Sequence, residues 1–452
     1  MSDPINLECR AVLILSSALE QLADQLSGDL RQFRSASVAV DVDPLDLVRA
    51  GSALFSTAAY FGKPGESEIG GLGAAWRTVA PFGHDRFQAL AASLEWMEGV
   101  SPQLRALVGF SFDADGPHRS EWDGFTSTAA VVPIVTVVSQ MGSRRLMVTL
   151  PPGRGAGEVL ATLADLKVQQ PPIGMQAADH AIESRPAPAD WVATVRESVD
   201  AIRQGTMDKV VLARTVIVRA DVAPAPFDLV GRLRSAYPGC FAFGWQEADG
   251  TFVGASPELL IERQGERVRS QPLAGSAPRG EGEEEDRALG EALMASEKDR
   301  REHSVVVDDI VARLGPSTGQ LTAPSTPVLL KMANVQHLAS EVVGALKSSL
   351  SVVEVAGDLH PTPAVAGVPL SEALAFIGKA ESIDRGWYSG GIGWTDGSGN
   401  GQIAVALRCA LVRGDTARLY AGAGIVAGSR PERELEETRL KFRPLLNLLT
   451  EA

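Results

Sequence analysis

Short apolar runs separated by turn residues set the pattern of this chain, and they read as strands. Leu107-Val108-Gly109-Phe110-Ser111-Phe112, Ala129 to Val138, Arg144 to Leu150 and Lys209 to Val218 are such runs. Phe241 to Trp245 and Thr251 to Gly254 flank Ala248-Asp249-Gly250 and predict a hairpin. Ser389 to Trp394 and Gln402 to Val412 predict further strands around the loop Asp396 to Gly401, and Leu419 to Ile425 another. Helical spacing takes over elsewhere. Leu15, Leu19, Leu22 and Leu26 predict a helix over residues 1–35. Residues 155–169, Asp190 to Gln204, Glu281 to Val311 and Glu432 to Leu448 predict more. Pro171, Pro172, Pro186 and Pro188 mark 170–190 as a connection. It separates 1–185, poor in candidate chemistry, from 186–452, which holds nearly all of it, within one expected compact unit. Strand pairs joined by tight turns, with helices gathered elsewhere, indicate an α+β fold with antiparallel sheets.

Composition narrows the function classes. With 452 residues, 45% hydrophobic and 22% charged, the chain is an ordinary globular protein. A net charge of -14 argues against a nucleic-acid surface. An anionic ligand would therefore need a local positive site. Cys9, Cys240 and Cys409 are scattered, so neither a disulfide framework nor a zinc site is expected. Reduced thiols in the cytoplasm are the expectation. The apolar run Ala11 to Ala18 is short and poorly preceded by basic residues, so a helix is preferred over a signal peptide. No stretch reaches the length needed to span a bilayer.

The candidate chemistry is acidic. Asp299 and Glu302 are three apart on one predicted helix, and Glu434 and Glu437 are three apart on another. Residues at that spacing share a face. If the two faces meet, four carboxylates crowd one space and call for a cation. Hard oxygen ligands of this kind suit Mg2+ with an anionic substrate. Taken alone, either helix reads as solvated surface: an i, i+4 pair such as Glu437 and Lys441 stabilises by only about 0.3–0.5 kcal/mol. Two glycine-bearing loops change the weighing. Pro272 to Ala277 leads toward the first helix, and Gly422-Ala423-Gly424-Ile425-Val426 precedes the second. Bare glycines there would let a ligand carboxylate approach backbone N–H groups. Gly153-Arg154-Gly155-Ala156-Gly157 fails as a dinucleotide loop, because Glu158 stands where the third glycine belongs. Of the histidines, His337 at the end of an apolar segment is a better functional candidate than His303 on a predicted helix.

Several fragments form one ordered set: Lys209, Ser256-Pro257-Glu258, Pro272-Leu273-Ala274-Gly275-Ser276, Lys298-Asp299 with Glu302-His303, and Gln336-His337. Tyr388-Ser389-Gly390, Arg408, Gly422 to Ile425, and Glu434 with Glu437-Thr438 and Lys441 continue it. From Lys209 to the C-terminus the chain resembles the chorismate-utilising enzymes, among them isochorismate, salicylate and anthranilate synthases. The resemblance implies large antiparallel sheets packed face to face, helices outside, and an active-site cleft between. Leu359-His360-Pro361-Thr362-Pro363-Ala364 is similar to the isochorismate synthase form of its loop, and Lys209 to the water-activating lysine of that branch. A glutaminase partner is not implied. Relatives without one are often monomeric, and no interface is readable in the residues.

The resemblance also implies roles. Water attacks C2 of chorismate and the C4 hydroxyl departs, with Lys209 as base and Glu258 as acid. Lys209 must be neutral to act, and apolar neighbours such as Val210, Val211 and Leu212, together with the nearby Mg2+, are expected to favour that state. Glu258 must hold a proton; the plain alternative is a helix-start charge after Ser256-Pro257. Glu302 and Glu437 are implied as direct Mg2+ ligands, with Asp299 and Glu434 acting through water. Arg408 and Tyr388 are implied to grip the enolpyruvyl carboxylate. Gly275, Ser276, His337, Thr362, Gly422 and Lys441 complete the implied pocket. Isochorismate would feed menaquinone or siderophore synthesis. Salicylate synthase, which goes on to eliminate pyruvate, is the neighbouring alternative, and a non-catalytic metal-dependent binder of small anions is the alternative of another class.

Overall fold

The computed structural model describes residues 17–450, apart from 81, 84, 165, 167–179, 222 and 223. Among the described residues the larger sheet has twelve strands. Its path runs Arg34–Ala39, Ser143–Leu150, Val135–Gln140, Ser67–Leu72, Thr57–Gly62, Phe241–Glu247, Gly250–Ser256, Cys409–Arg413, Thr416–Val426, Lys209–Ala220. Gly367–Val368 and His180–Arg185 both pair with the last of these. The second sheet has nine strands, in the order Thr318–Thr322, Val342–Leu346, Arg267–Gln271, Leu259–Gln264, Gly401–Val405, Gly391–Asp396, Arg105–Phe110, Thr128–Val132, Trp76–Val79. A third joins Leu273–Pro278, Val335–Ala339 and Val328–Lys331. The pairings are antiparallel, and distant parts of the chain interleave: Thr57–Gly62 lies beside Phe241–Glu247, and Arg105–Phe110 beside Gly391–Asp396.

Side-chain alternation builds the layers. Phe61, Phe243, Phe252 and Leu411 of the larger sheet share one buried cluster with Leu107, Ile392, Trp394 and Ala404 of the second. The sheets thus pack face to face. A second cluster joins Val135, Val137, Leu146 and Val148 to helices: Leu19, Leu22 and Leu26 near the chain start, Leu229 and Leu233 of Pro226–Ala236, and Leu445 and Leu449 of Pro431–Thr450. A third joins Val108, Ile261, Ile403 and Val405 to Val306 and Ile310 of Glu297–Leu314, and to Val353 and Leu359 of Val352–Leu359. Helices therefore cover the outside of the sandwich, as the α+β pattern implies. Among the described residues no helix is long and apolar enough to cross a membrane. Cys240 and Cys409 are free and buried.

Several expected elements break in two, and two of the breaks are changes of sheet. Ala129 to Val138 is interrupted at Pro133: Thr128–Val132 pairs in the second sheet and Val135–Gln140 in the larger one. Gln402 to Val412 splits the same way, into Gly401–Val405 and Cys409–Arg413. Glu281 to Val311 is two helices, Glu283–Ala295 and Glu297–Leu314. Ser296 between them is extended, and its hydroxyl accepts from the Asp299 N–H, which caps the second helix. The N-terminal helix ends at residue 25, and Arg34–Ala39 is already strand. Leu15 and residues 170–179 of the expected connection lie outside the described residues. The strand His180–Arg185 and then a helix from Pro188 occupy the rest of that stretch, so the connection is shorter than expected.

Candidate active site

The sheet crossings, the small sheet and two helices meet around one cleft of ≈ 980 Å³, its open mouth included. One wall is made of strands. Lys209 and Val211 line it from Lys209–Ala220, and Tyr420, Gly422 and Gly424 from Thr416–Val426. These are alternate positions and share a face, while Val210, Leu212, Ala423 and Ile425 point into the core behind. The expected apolar surroundings of Lys209 are corrected by that alternation. Two of the three valine and leucine neighbours face away, and Lys209 Nζ instead meets Glu302 Oε1 at 2.9 Å.

Glu258 stands where the chain leaves Gly250–Ser256 of the larger sheet and enters Leu259–Gln264 of the second. No helix begins there, so the helix-start alternative falls away. Burial raises its carboxyl from 4.5 to about 8, against the opposing pull of a backbone hydrogen bond from Leu273 and of Lys209 and Lys441. Glu258 is therefore largely protonated at neutral pH. Arg408 occupies the other crossing, with φ 49°. Burial lowers its guanidinium from the ordinary value, though not enough to discharge it. Tyr388 is buried and stacks on Tyr420 with ring centroids 5.4 Å apart.

The opposite wall brings in the small sheet and the two acidic helices. Leu273–Pro278 shifts register between Ala274 and Ser276, with Gly275 between them at φ 76°. Ser276 then pairs with His337, and Ser276 Oγ lies 2.8 Å from His337 Nδ1. Burial first, then Arg408 and Lys441, lower the His337 imidazole to about 3, so it is neutral. Its Nε2 is buried without a hydrogen-bond partner. His303 is bonded to Ser340 instead and does not line the cleft.

The two acidic faces do meet: Asp299, Glu302, Glu434 and Glu437 all line the cleft. Burial alone would raise the Glu302 carboxyl, but Lys209, Lys298 and Lys441 pull it below its ordinary value. Glu437 Oε1 meets Lys441 Nζ at 2.7 Å, and Lys441 also donates to the Gly422 carbonyl at 2.8 Å. Glu434 is pushed from 4.5 to about 7 by burial and by Glu437. Asp299 accepts from the Ser296 hydroxyl. Lysines balance part of this charge, Lys209 on Glu302 and Lys441 on Glu437, while Glu434 is pushed toward its protonated form. Among the described residues no three His, Cys, Asp or Glu side chains stand ready as metal ligands. The donor set nonetheless fits a hard divalent cation. Four carboxylates converge, two of them on lysines that a cation could displace, and Glu434 is raised by burial and by its neighbour Glu437.

Thr362 is the one expected pocket residue that does not line the cleft. It is buried, its carbonyl accepts from the Val365 and Ala366 N–H groups, and it shapes the turn behind Ala364 and Val365, which do line it. The expected use of the glycines also changes. A Cβ on Gly424 would lie 2.7 Å from Glu302 Oε1 and 3.1 Å from Lys209 Cε, so this glycine makes room for the ion pair. Tyr420 and Leu407 line the cleft without having been singled out from the sequence, and Lys298, quoted there without a role, lines it too. Tyr420 was recoverable by counting back two from Gly422 along the strand, and Lys298 as the cation beside Asp299.

Known proteins share this architecture. The family described as chorismate binding enzyme matches residues 18–450. Isochorismate synthase MenF of Bacillus subtilis is 37% identical over 350 residues, which cover 75% of this chain and 74% of that protein. The salicylate biosynthesis isochorismate synthase of Pseudomonas aeruginosa is 35% identical over 374 residues, covering 81% and 78%. The solved structure of the menaquinone-specific isochorismate synthase MenF from Escherichia coli aligns with a TM-score of 0.83 at 27% identity, over 96% of this chain and 99% of that one. With its cleft, its sheet order and these likenesses, this chain belongs to the chorismate-binding enzyme family.

Proposed function

We propose that the chain is an isochorismate synthase, converting chorismate to isochorismate with Mg2+ as cofactor, for menaquinone or siderophore synthesis. The observation that carries the reading is an amine and a protonated carboxyl, Lys209 and Glu258, lining one cleft with four carboxylates, Arg408 and Tyr388.

Mg2+, held by Glu302 and Glu437 with Asp299 and Glu434 reaching it through water, would supply positive charge for the ring carboxylate. Arg408 and Tyr388 grip the enolpyruvyl carboxylate, a planar anion that suits a guanidinium fork. Gly275, Ser276, neutral His337, Gly422 and Lys441 complete the enclosure. Lys209 gives up its contact with Glu302 and, as the free amine, takes a proton from water while the water oxygen bonds to C2. The two ring double bonds shift, and the C4–O bond breaks. Glu258 gives its proton to the departing hydroxyl, which leaves as water. One water enters and one leaves, and the proton on Lys209 returns to Glu258 through solvent.

Incubation with chorismate and Mg2+, followed by chromatographic separation of the isomers, should yield isochorismate, and EDTA should abolish it. Release of pyruvate with salicylate would replace the reading with salicylate synthase. Binding of chorismate with no product would support the non-catalytic anion binder.

A further inference from the structure

Lys209–Ala220 has an incomplete neighbour on one side. Gly367–Val368 pairs with Lys209 and Val210, and His180–Arg185 pairs only from Thr215 onward. The backbone groups in the gap are bonded all the same. The Val211 N–H donates to the Ala366 carbonyl at 2.8 Å. Arg385 Nη2 donates to the Val211 carbonyl at 2.7 Å, and the Ala213 N–H donates to Glu381 Oε1 at 2.7 Å. A side-chain ion pair thus stands in for the missing strand.

The pair is buried and doubly joined. Arg385 Nε donates to Glu381 Oε2 at 2.8 Å and Nη2 to Oε1, with the two side chains 4% and 5% exposed. The remaining guanidinium nitrogen reaches two other parts of the cleft wall. Nη1 donates to the Val365 carbonyl at 2.9 Å and to Ser389 Oγ at 3.3 Å. Ser389 has φ 57°, in the left-handed region, and follows Tyr388. Val211, Val365 and Tyr388 line the cleft, and Val211 shares its face with Lys209; Glu381 and Arg385 do not line it. One planar fork therefore bonds three separate segments of the cleft wall, one of which carries Lys209.

Stability alone does not call for such a pair. Well-packed apolar residues often replace a buried ion pair without loss. A guanidinium can hold five acceptors in fixed directions, which an ammonium on a flexible stem cannot. We propose that Glu381 and Arg385 are positioning residues for the isochorismate synthase reaction, holding Lys209, the 364–365 wall and Tyr388 at their working separation. This rests on the proposed function.

Two variants test it. Arg385→Lys keeps the charge opposite Glu381 but loses the fork. The double variant Glu381→Leu with Arg385→Met removes both charges and leaves none unpaired. Both are expected to stay folded at assay temperature with a lowered Tm, since the Val211 and Val365 carbonyls lose their guanidinium donor. Misplacement by roughly 1 Å costs on the order of 100-fold, so kcat should fall by about that factor, with KM for chorismate within about threefold. Turnover within twofold of the parent in both variants overturns the inference. So does a loss that only tracks the folded fraction by circular dichroism. If Arg385→Lys fails to fold, the double variant decides by the same criteria. A parent that makes no isochorismate sinks the functional reading instead, and is scored before either variant.

Discussion

The two walls of the cleft are built by different means. On the strand wall, Lys209 and Glu258 are each 4% exposed, held by a ladder on one side and core packing on the other. On the helix wall, Glu302 and Glu437 are held by other side chains, and the Glu437–Lys441 pair is 36% and 23% exposed. Groups that hand over protons need a fixed position and a dry setting. Groups that hold a cation need charge, and must be able to exchange a lysine for a metal. The fixed wall therefore suits the proposed chemistry and the adaptable wall the proposed cofactor.

The sharpest way to break this contrast is on the strand wall. Lys209→Ala removes the proposed base, so turnover should fall about 10²–10⁴-fold while calorimetry finds chorismate affinity little changed. Retained turnover would leave the strand wall without its role.

Glu258→Gln should come next, with a loss of about 10²-fold or more. In the parent, kcat should fall as pH rises through about 8, because the proton-donating form is lost there. Stability should track the same group. Its folded value lies above the ordinary 4.5, so the folded state binds more protons between 4.5 and about 8. Its contribution is then fully present below 4.5 and declines as pH rises to about 8. A Tm profile across that window should flatten in Glu258→Gln; an identical slope in both proteins would mean that Glu258 titrates as an ordinary surface carboxyl.

The helix wall should respond in cofactor demand rather than in the chemical step. Glu302→Gln and Glu437→Gln should each raise the Mg2+ needed for half-maximal rate by about tenfold or more. Glu434→Gln should raise it less, and isothermal titration with Mg2+ gives the same order directly. Equal effects at all three positions would remove the distinction between direct and water-mediated ligands.

The smallest effect sharpens the boundary between the walls. In Gly424→Ala the new Cβ would sit 2.7 Å from Glu302 Oε1, the movable end of a side chain. Stability should change by about 1 kcal/mol or less, while turnover drops a few-fold because the Lys209–Glu302 pair must shift.

Much of this was legible before any folding was considered. The strand runs, the acidic helices and the glycine loops come from period and local composition, which are properties of neighbouring residues. The breaks were harder. Pro133 is plain in the sequence, but that it separates two sheets depends on which strands lie beside Thr128–Val132 and Val135–Gln140. Arg408 sits at a second such crossing, inside a run that reads as one strand. Thr362 was expected in the pocket because its loop resembles a known one, yet it lies one layer behind. Glu381 and Arg385 gave no local signal, since each acts on backbone groups more than 150 positions away, with |i−j| of 168 and 174.

Residue order alone carries the elements, the acidity, the family likeness and the identity of the proposed reacting groups. Folding sets their states: Glu258 holding a proton, Lys209 on Glu302, Glu437 on Lys441, and, among the described residues, no ready-made metal cage. Side-chain chemistry and periodicity belong to each residue and its near neighbours. Desolvation and charge pairing are set by groups that only folding brings within a few ångströms, and no local pattern records them.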